Sequence, residues 1–453
     1  MNRNELRGQT TGGQSLTLTM LGNYFLSQPT NYLRNISTTG SMENTTAMTT
    51  PDTAPPLRVG MVGHAFMGAA HSHAWRTAPR FFDLPLAPEL SVLAGRDRGR
   101  VTEAASRLGW AGTETDWRAL VERDDVDLVD ICTPGDTHAE IAIAALKAGK
   151  HVLCEKPLAN SVAEAEEMAA VAAEAAARGV YAMCGYSYRR TPALTLARNM
   201  VRDGKLGTIR QVRAQYLQDW LSDENAPLTW RMDKSKSGSG ALGDIGAHSI
   251  DAAQFVTGQS ITGVSAIMET FTKERPVGGD FVGLGGSGAV GAGVERGPVT
   301  VDDAVVFSAR FNGGPIGVFE ASRVALGRKN AMRLEVNGSE GSIAFDFEDM
   351  NYLNYYDGGT GADPDSRGFR RINVTEAHHP YTGNWWPVGH GLGYEHGFTH
   401  QVVDLVTAIG AGTQPTPSFA DALQVQRVLA AVENSAGQDS RWTPVDGQEG
   451  HTA

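Results

Sequence analysis

The sequence predicts an α/β protein: a doubly wound parallel sheet, then a C-terminal α+β domain with a large, mostly antiparallel open sheet. Three observations predict it. From residue 57 to 184 short apolar runs alternate with helical patterns, as in successive βαβ units. The first run leads straight into a glycine-bounded turn that opens a helix. After Gly185 the pattern changes to longer β-type runs.

Length and charge set the frame. A chain of 453 residues favours two domains over one. The expected divisions are a tail over 1–52, a nucleotide-binding domain over 53–184, an α+β domain for substrate binding and oligomerisation over 185–440, and a second tail over 441–453. The first stretch is rich in Ser, Thr, Asn and Gly. It reads as a disordered tail, or as a start placed ahead of Met42 or Met48. A net charge of −12 argues against nucleic acid or an anionic membrane as partner. No window reaches the roughly 18 apolar residues needed to cross a bilayer. Cys132, Cys154 and Cys184 form no CxxC pair and fall in or beside predicted strands. Buried free thiols follow, and with them a reducing, cytoplasmic location.

Leu57–Val62 reads as the first strand, and a helix is expected from Met67 to Thr77. Between them Gly63-His64-Ala65-Phe66-Met67-Gly68 occupies the place of a G-x-G-x-x-G turn. Gly63 suits the tight turn and Gly68 the close helix packing. Ala65 adds a methyl where a pyrophosphate comes nearest. Leu90–Ala94 closes the first βαβ unit. At its tip Gly95 stands where an NAD site prefers an acid, and Arg96 comes next, so NADP is favoured over NAD as the form of NAD(P). The competing reading gives the ribose to Asp97.

Asp116–Glu122 is expected as a short helix and Leu128–Cys132 as a strand. The loop Thr133-Pro134-Gly135-Asp136-Thr137-His138 follows it. A helix from Thr137 ends at Gly149, and Val152–Cys154 is a buried strand running into Glu155-Lys156-Pro157. Ionisable groups at the carboxyl end of such a strand lie where an open α/β sheet binds ligands. Ser161-x-x-Glu164 is a capping box for an Ala-rich helix, and Val180–Cys184 is a strand. Beyond Gly185 strands are expected at 209–217, 264–271, 304–311, 316–324, 332–337 and 341–345. Helices are expected at 191–202, 394–409 and 419–435. Val277–Pro298 reads as a Gly-rich mobile insertion.

A second constellation is Gly243-Asp244-Ile245-Gly246-Ala247-His248. On a helix, residues four apart share a face. Histidine can accept and return a proton near neutrality, and a neighbouring carboxylate can orient it. Asp244 as a helix N-cap, with His248 merely packed, is the slightly favoured reading of these residues taken alone. Trp230-Arg231 offers a stacking face and a donor fork. His378-His379, Trp385-Trp386 and His390 would serve either a sugar site or a packed cover. The histidines lack zinc-ligand spacing with cysteine, and no metal is predicted.

With both stretches in hand, the chain resembles the glucose–fructose oxidoreductase / inositol dehydrogenase / rhizopine catabolism (Gfo/Idh/MocA) family. The shared motifs are the 63–71 turn, Thr133-Pro134 with His138, Ala148–Pro157 around Glu-Lys-Pro, and 243–248; 336–341 also fits. Phe66-Met67-Gly68, His71-Ser72 and the 385–395 segment are similar to the branch that includes levoglucosan dehydrogenase. The resemblance implies a Rossmann domain and hydride transfer between nicotinamide C4 and a carbinol of a sugar, glycoside or cyclitol. It places the cofactor against Gly63, Ala65, Phe66, Met67 and Gly68, the Arg96 tip, Thr133, Pro134 and His138, and Glu155 and Lys156. Lys156 would lie by the reacting hydroxyl, His248 would be the general base, and Asp244 would orient substrate. Tyr186, Trp230 and Arg231 would line the substrate. The resemblance also implies a homodimer or homotetramer through the C-terminal sheet. Two alternatives use the same residues. One is a glycosidase working by transient C3 oxidation and elimination, which needs a second base such as His71 or Tyr186. The other is a non-catalytic dinucleotide-binding regulator.

Overall fold

The computed structural model describes residues 54–278, 294–359 and 364–446. The expected tail at 1–52, most of the Gly-rich insertion and residues 447–453 therefore lie outside the described residues.

The first sheet takes β1 (Pro56–Val62), β2 (Ala87–Ala94), β3 (Gly112–Glu114), β4 (Leu128–Ile131), β5 (His151–Cys154) and β6 (Ala182–Cys184). Their spatial order is β3-β2-β1-β4-β5-β6, and every pair is parallel. The helices between them are α1 (Phe66–Phe81), α2 (Arg98–Leu108), α3 (Trp117–Val121), α4 (His138–Lys147) and α5 (Val162–Ala176). The order reverses between β1 and β4, and that switch point opens a crevice at the strands' carboxyl ends. β4 and β5 are buried almost throughout, which is why they read as largely apolar runs, interrupted in β4 by Asp130. Ser161 caps the helix as expected, its Oγ accepting from Glu164 N at 3.2 Å, but the Glu164 carboxylate takes the Ser161 hydroxyl at 2.9 Å, so only the N-cap half of the expected capping box is seen. α1 runs past the expected Thr77 to Phe81, with Pro79 inside its last turn.

The rest of the chain gives α6 (Pro192–Arg202), β7 (Ile209–Leu217), α7 (Lys234–Ser237), α8 (Ala247–Thr257), β8 (Ile261–Glu269), β9 (Glu274–Pro276) and β10 (Arg296–Pro298). Then come β11 (Ala304–Phe311), β12 (Ile316–Ser322), β13 (Ala331–Gly338), β14 (Gly341–Asp346), β15 (Tyr352–Asp357) and β16 (Arg370–Asn373). The last elements are α9 (Tyr394–Gly410), α10 (Phe419–Ala436) and β17 (Thr443–Pro444). Nine strands form one sheet in the order β16-β15-β14-β13-β7-β12-β11-β8-β17. All its pairs are antiparallel except β7 with β12. β9 and β10 form a separate two-stranded ladder, so the ends of the expected insertion are paired backbone. Thr443–Pro444 pairs with β8, where the sequence suggested only a tail.

One face of the large sheet is core. Val305, Phe307, Ala309 and Phe311 alternate inward from β11, and Phe307 stacks on Phe319 of β12 at 4.6 Å. Burying each such phenylalanine contributes roughly 1.5–3 kcal/mol. The inner face packs on α8 and α10, whereas α9 crosses back onto α1 beside the fully buried Trp75. Tyr394 and Phe398, near the start of α9, are thereby carried to the mouth of the crevice.

Candidate active site

At the switch point a cavity of about 390 Å³ is walled by residues from both sheets. A larger one of about 730 Å³ runs beside α1 and β2. The smaller cavity carries the chemistry, because the ionisable residues singled out from sequence converge on it.

Its floor is the turn into α1. Gly63 has φ +99°, and a Cβ there would lie 2.7 Å from Cys132 O. A Cβ on Gly68 would run into Gly63 O. α1 opens at Phe66 with Ala65 as N-cap, no side-chain cap bond and no acid in its first turn. The free amides of that turn suit an anionic group. Ala65, Phe66 and Met67 line the cavity, as do Thr133, Pro134 and His138. His138 acts as a clasp: Nδ1 lies 2.9 Å from Pro157 O and Nε2 2.9 Å from Thr133 O. Arg96 lies outside the cavity lining, exposed beyond the tip of β2. Asp97 Oδ1 accepts from Arg100 N at 2.8 Å and caps α2.

The opposite wall carries the ions. Lys156 follows β5, and the peptide to Pro157 is cis. Its Nζ donates to the main-chain oxygen of Asp244 at 2.6 Å and lies 3.6 Å from Asp244 Oδ1. Arg323 Nη1 lies 3.6 Å from Asp244 Oδ2. Burial alone would raise the Asp244 carboxyl, but Lys156, Arg323 and Arg231 outweigh it and hold it below the usual carboxylate range. Asp244 is not a helix cap. It sits in a π turn, Leu242–Gly246, whose leading amides are taken by another side chain. Asp302 Oδ1 accepts from Gly240 N at 2.6 Å and Oδ2 from Leu242 N at 2.8 Å. That substitution of caps leaves Asp244 free to face the cations, and such single π turns concentrate at functional sites.

His248 stands on α8, stacked on Tyr188 at 4.4 Å, with its Nδ1 buried and unpartnered. Burial first, and then the Lys156 charge, push its imidazole well below the usual value, so it is neutral near pH 7. Trp230 and Arg231 reach the same cavity, the guanidinium 4.5 Å above the indole.

Some residues fall elsewhere. Tyr186 is buried, with an unpartnered hydroxyl, and does not line the cavity; Ser187 and Tyr188 do. His378, His379, Trp385, Trp386 and His390 do not line it either. Trp385 packs on Phe81 and Phe82 and donates from Nε1 to His400 Nε2 at 2.8 Å, which makes the segment a cover on α1. The sequence reading missed Arg323, Tyr216 and Gln218, which do line it. Tyr188, Tyr216 and Gln218 form a chain ending on Asn330, with Tyr188 Oη 2.6 Å from Tyr216 Oη and Gln218 Nε2 donating to Asn330 Oδ1 at 2.9 Å. The missed signal is parity. Arg323 continues the inward phase of Gly317, Phe319 and Ala321, and Gln218 continues that of Val212, Ala214 and Tyr216.

Comparison with known proteins identifies the family. Residues 57–183 match a family model described as an oxidoreductase family with an NAD-binding Rossmann fold, and residues 194–344 match the GFO/IDH/MocA C-terminal domain. Levoglucosan dehydrogenase of Pseudarthrobacter phenanthrenivorans is 41% identical over 396 residues, 86% of this chain and 98% of that protein. A solved oxidoreductase domain protein from Kribbella flavida is 65% identical with a TM-score of 0.81, covering 86% of this chain and 99% of that one. The structure of levoglucosan dehydrogenase in complex with NADH and levoglucosan is 39% identical with a TM-score of 0.80, covering 87% and 100%. The glycine turn, the Glu-Lys-Pro strand end and the Asp-x-Gly-x-His turn meet at one cavity, and the chain belongs to the Gfo/Idh/MocA family of oxidoreductases.

Proposed function

We propose that this chain is a nicotinamide-dinucleotide-dependent dehydrogenase acting on a secondary alcohol of a sugar, glycoside or cyclitol, with 1,6-anhydrosugars as the first class to try. One observation carries the reading: Lys156, Asp244 and His248 converge on a cavity at the switch point of the parallel sheet. The similarity to levoglucosan dehydrogenase supports the substrate class.

The uncapped start of α1 and the tight turn at Gly63 fit a dinucleotide diphosphate, and the Thr133-Pro134 loop and the Glu155-Lys156 strand end lie beside them. When bound, the nicotinamide ring supplies the hydride acceptor. The chain's own residues manage the proton and the oxygen. Loss of hydride from a CHOH group leaves a protonated carbonyl unless the hydroxyl proton also leaves. Neutral His248 takes that proton. Lys156 stabilises the charge that develops on the oxygen. Asp244 holds the ammonium in place and offers its own oxygens to substrate hydroxyls. Trp230 gives an apolar face for a sugar ring and Arg231 a donor fork.

Gly95 withholds the carboxylate that a free ribose 2′-hydroxyl prefers, and Arg96 supplies a cation, which supports NADP; the complexes of levoglucosan dehydrogenase hold NADH. Separate titrations of NAD⁺ and NADP⁺ by protein fluorescence, repeated on Arg96→Ala, decide this. A preference for NADP⁺ lost in the variant supports the strand-tip reading, and tighter NAD⁺ binding overturns it. We also propose association through the outer face of the nine-stranded sheet. Ile267, Val306, Ile316 and Val318 are exposed there on adjacent strands, and Val318→Lys should shift the mass seen by light scattering to a smaller species. The three buried free thiols support a cytoplasmic site of action.

The test of the activity is substrate-dependent reduction of the better-binding dinucleotide across anhydrosugars, free sugars and inositols. Tight binding of dinucleotide with no reduction on any of them overturns the dehydrogenase reading. The glycosidase alternative gains nothing from this site. His71 is locked between two carboxylates, and Tyr186 does not reach the cavity.

A further inference from the structure

Beneath the cavity floor lies a cluster that the mechanism above does not use. His71 of α1 is 1% exposed and has a carboxylate at each ring nitrogen. Nδ1 is 2.9 and 3.0 Å from the two oxygens of Asp130, and Nε2 is 3.0 Å from Glu155 Oε1. Asp130 is fully buried on β4, where it also accepts from Trp75 Nε1 at 2.7 Å and from Cys132 Sγ at 3.6 Å. Glu155 Oε2, the oxygen not facing His71, accepts from Lys156 N at 3.3 Å, and Glu155 lines the cavity. Gly185 makes room for the carboxylate; a Cβ there would lie 2.8 Å from Glu155 Oε1.

We propose that His71 is a positioning residue: as a doubly protonated imidazolium, anchored by Asp130, it fixes Glu155 as a carboxylate beside Lys156.

A carboxyl oxygen within 3.0 Å of each ring nitrogen matches a ring that donates from both nitrogens, which imidazolium alone does. Burial opposes that charge, but the Asp130 carboxylate raises His71 well above the ordinary histidine range. The other groups against the ring do not titrate near neutrality. They are the Trp75 indole, the Phe398 ring of α9 at 5.5 Å, and the Cys132 thiol, pushed up by burial and by the Asp130 charge. His71, Asp130 and Cys132 donor atoms lie within 4.8 Å of one another, close enough for a metal ion. Both Asp130 oxygens are already committed to hydrogen-bond donors, and Cys132 is kept as a thiol, so the bridging particles are protons. With His71 and Asp130 cancelling, the net negative charge of the cluster sits on Glu155, facing the cavity.

The proton assignment stands apart from the dinucleotide reading, whereas the effect on affinity rests on it, and the experiment separates them. In apo protein with ¹⁵N-labelled histidine, the His71 signals are assigned by their loss in His71→Gln. They should show both ring nitrogens protonated at pH 7 and above. A neutral ring at pH 7, or a stoichiometric metal in the purified protein, would overturn the proposal. The stability gap between wild type and His71→Gln should be full below about pH 6.5 and shrink only as pH rises through the raised folded value. The second arm is a cycle of dinucleotide dissociation constants over wild type, His71→Gln, Glu155→Gln and the double variant. His71→Gln should weaken binding about 5- to 10-fold alone, and less than about 2-fold when Glu155 is already Gln. Equal losses in both backgrounds mean that His71 merely supports the fold. If no dinucleotide binds wild type, the function proposed above falls, and the spectra alone decide the imidazolium.

Discussion

Replacing Asp244 with asparagine removes one negative charge from among three positive ones and changes little in shape. Its oxygens lie 3.6 Å from Lys156 Nζ and 3.6 Å from Arg323 Nη1. At an effective dielectric near 20 each contact amounts to about 4–5 kcal/mol of gross attraction. Desolvation offsets much of this, and one-sided loss of a buried pair costs about 3–5 kcal/mol net. The Asp244 side chain is 26% exposed, so the lower end, about 3 kcal/mol, applies. A domain stable by about 5–15 kcal/mol survives that loss. For 453 residues at about 2.1 cal/mol/K each, the midpoint should fall by about 3 °C. The pH dependence fixes the cause. Asp244 is held below its unfolded value, so its contribution is present above about pH 4 and lost as pH falls through the folded value. Calorimetry on wild type and Asp244→Asn should show the gap at pH 7 and its closure below about pH 4. Turnover should drop about 100-fold, because Lys156 loses its counter-ion. An unchanged midpoint with unchanged turnover at pH 7, or a gap as large at pH 3 as at pH 7, would refute the electrostatic account.

Four further outcomes follow from the same geometry. Lys156→Ala should lower kcat about 100- to 1000-fold with normal circular dichroism, and turnover at the wild-type rate removes it from the chemistry. His248→Asn should lower kcat about 100- to 10,000-fold. In Lys156→Met the acid limb of any residual kcat/KM profile should move to higher pH, since one cause of the depressed His248 value is gone; a fixed limb assigns it to another group. Gly63→Ala should destabilise by about 1–3 kcal/mol in urea unfolding and weaken dinucleotide binding, because φ is +99° and the new methyl meets the Cys132 carbonyl.

The parallel sheet was legible because β4 and β5 are short apolar runs ended by motif residues, and the chemistry sits at those ends. Lys156, Asp244 and His248 could be named from their motifs together with the family resemblance that those motifs carry. Their dependence on Arg323 could not, since that residue lies far along the chain and reaches Asp244 only through the pairing of β12 beside β7. β15 and β16 were also missed. Tyr-Leu-Asn-Tyr-Tyr-Asp and Arg-Arg-Ile-Asn carry few inward apolar residues, and they pair at the sheet margin, where burial leaves little pattern. The 378–390 segment misled for the opposite reason: its aromatics fill a cover over α1, which composition does not distinguish from a sugar site. Asp302 replacing Asp244 as the cap could not be read locally at all.

The one parallel pairing in the large sheet has a bearing on how the chain acquires its shape. β7 is flanked by β12 and β13, and Gln211 finds its partners at Ile316 and Asn337. Both lie about 100 residues or more later in the chain. As the chain emerges from the ribosome, β7 has no neighbour until nearly three-quarters of the sequence has been made. The β11–β12 and β13–β14 hairpins close locally and quickly, whereas seating β7 between them waits on a long loop closure. Arg323 follows β12 directly, so the ion cluster around Asp244 is completed only at that late step. A stalled or truncated chain ending before residue 316 would expose β7 as an open edge, a template for aggregation that the finished sheet conceals.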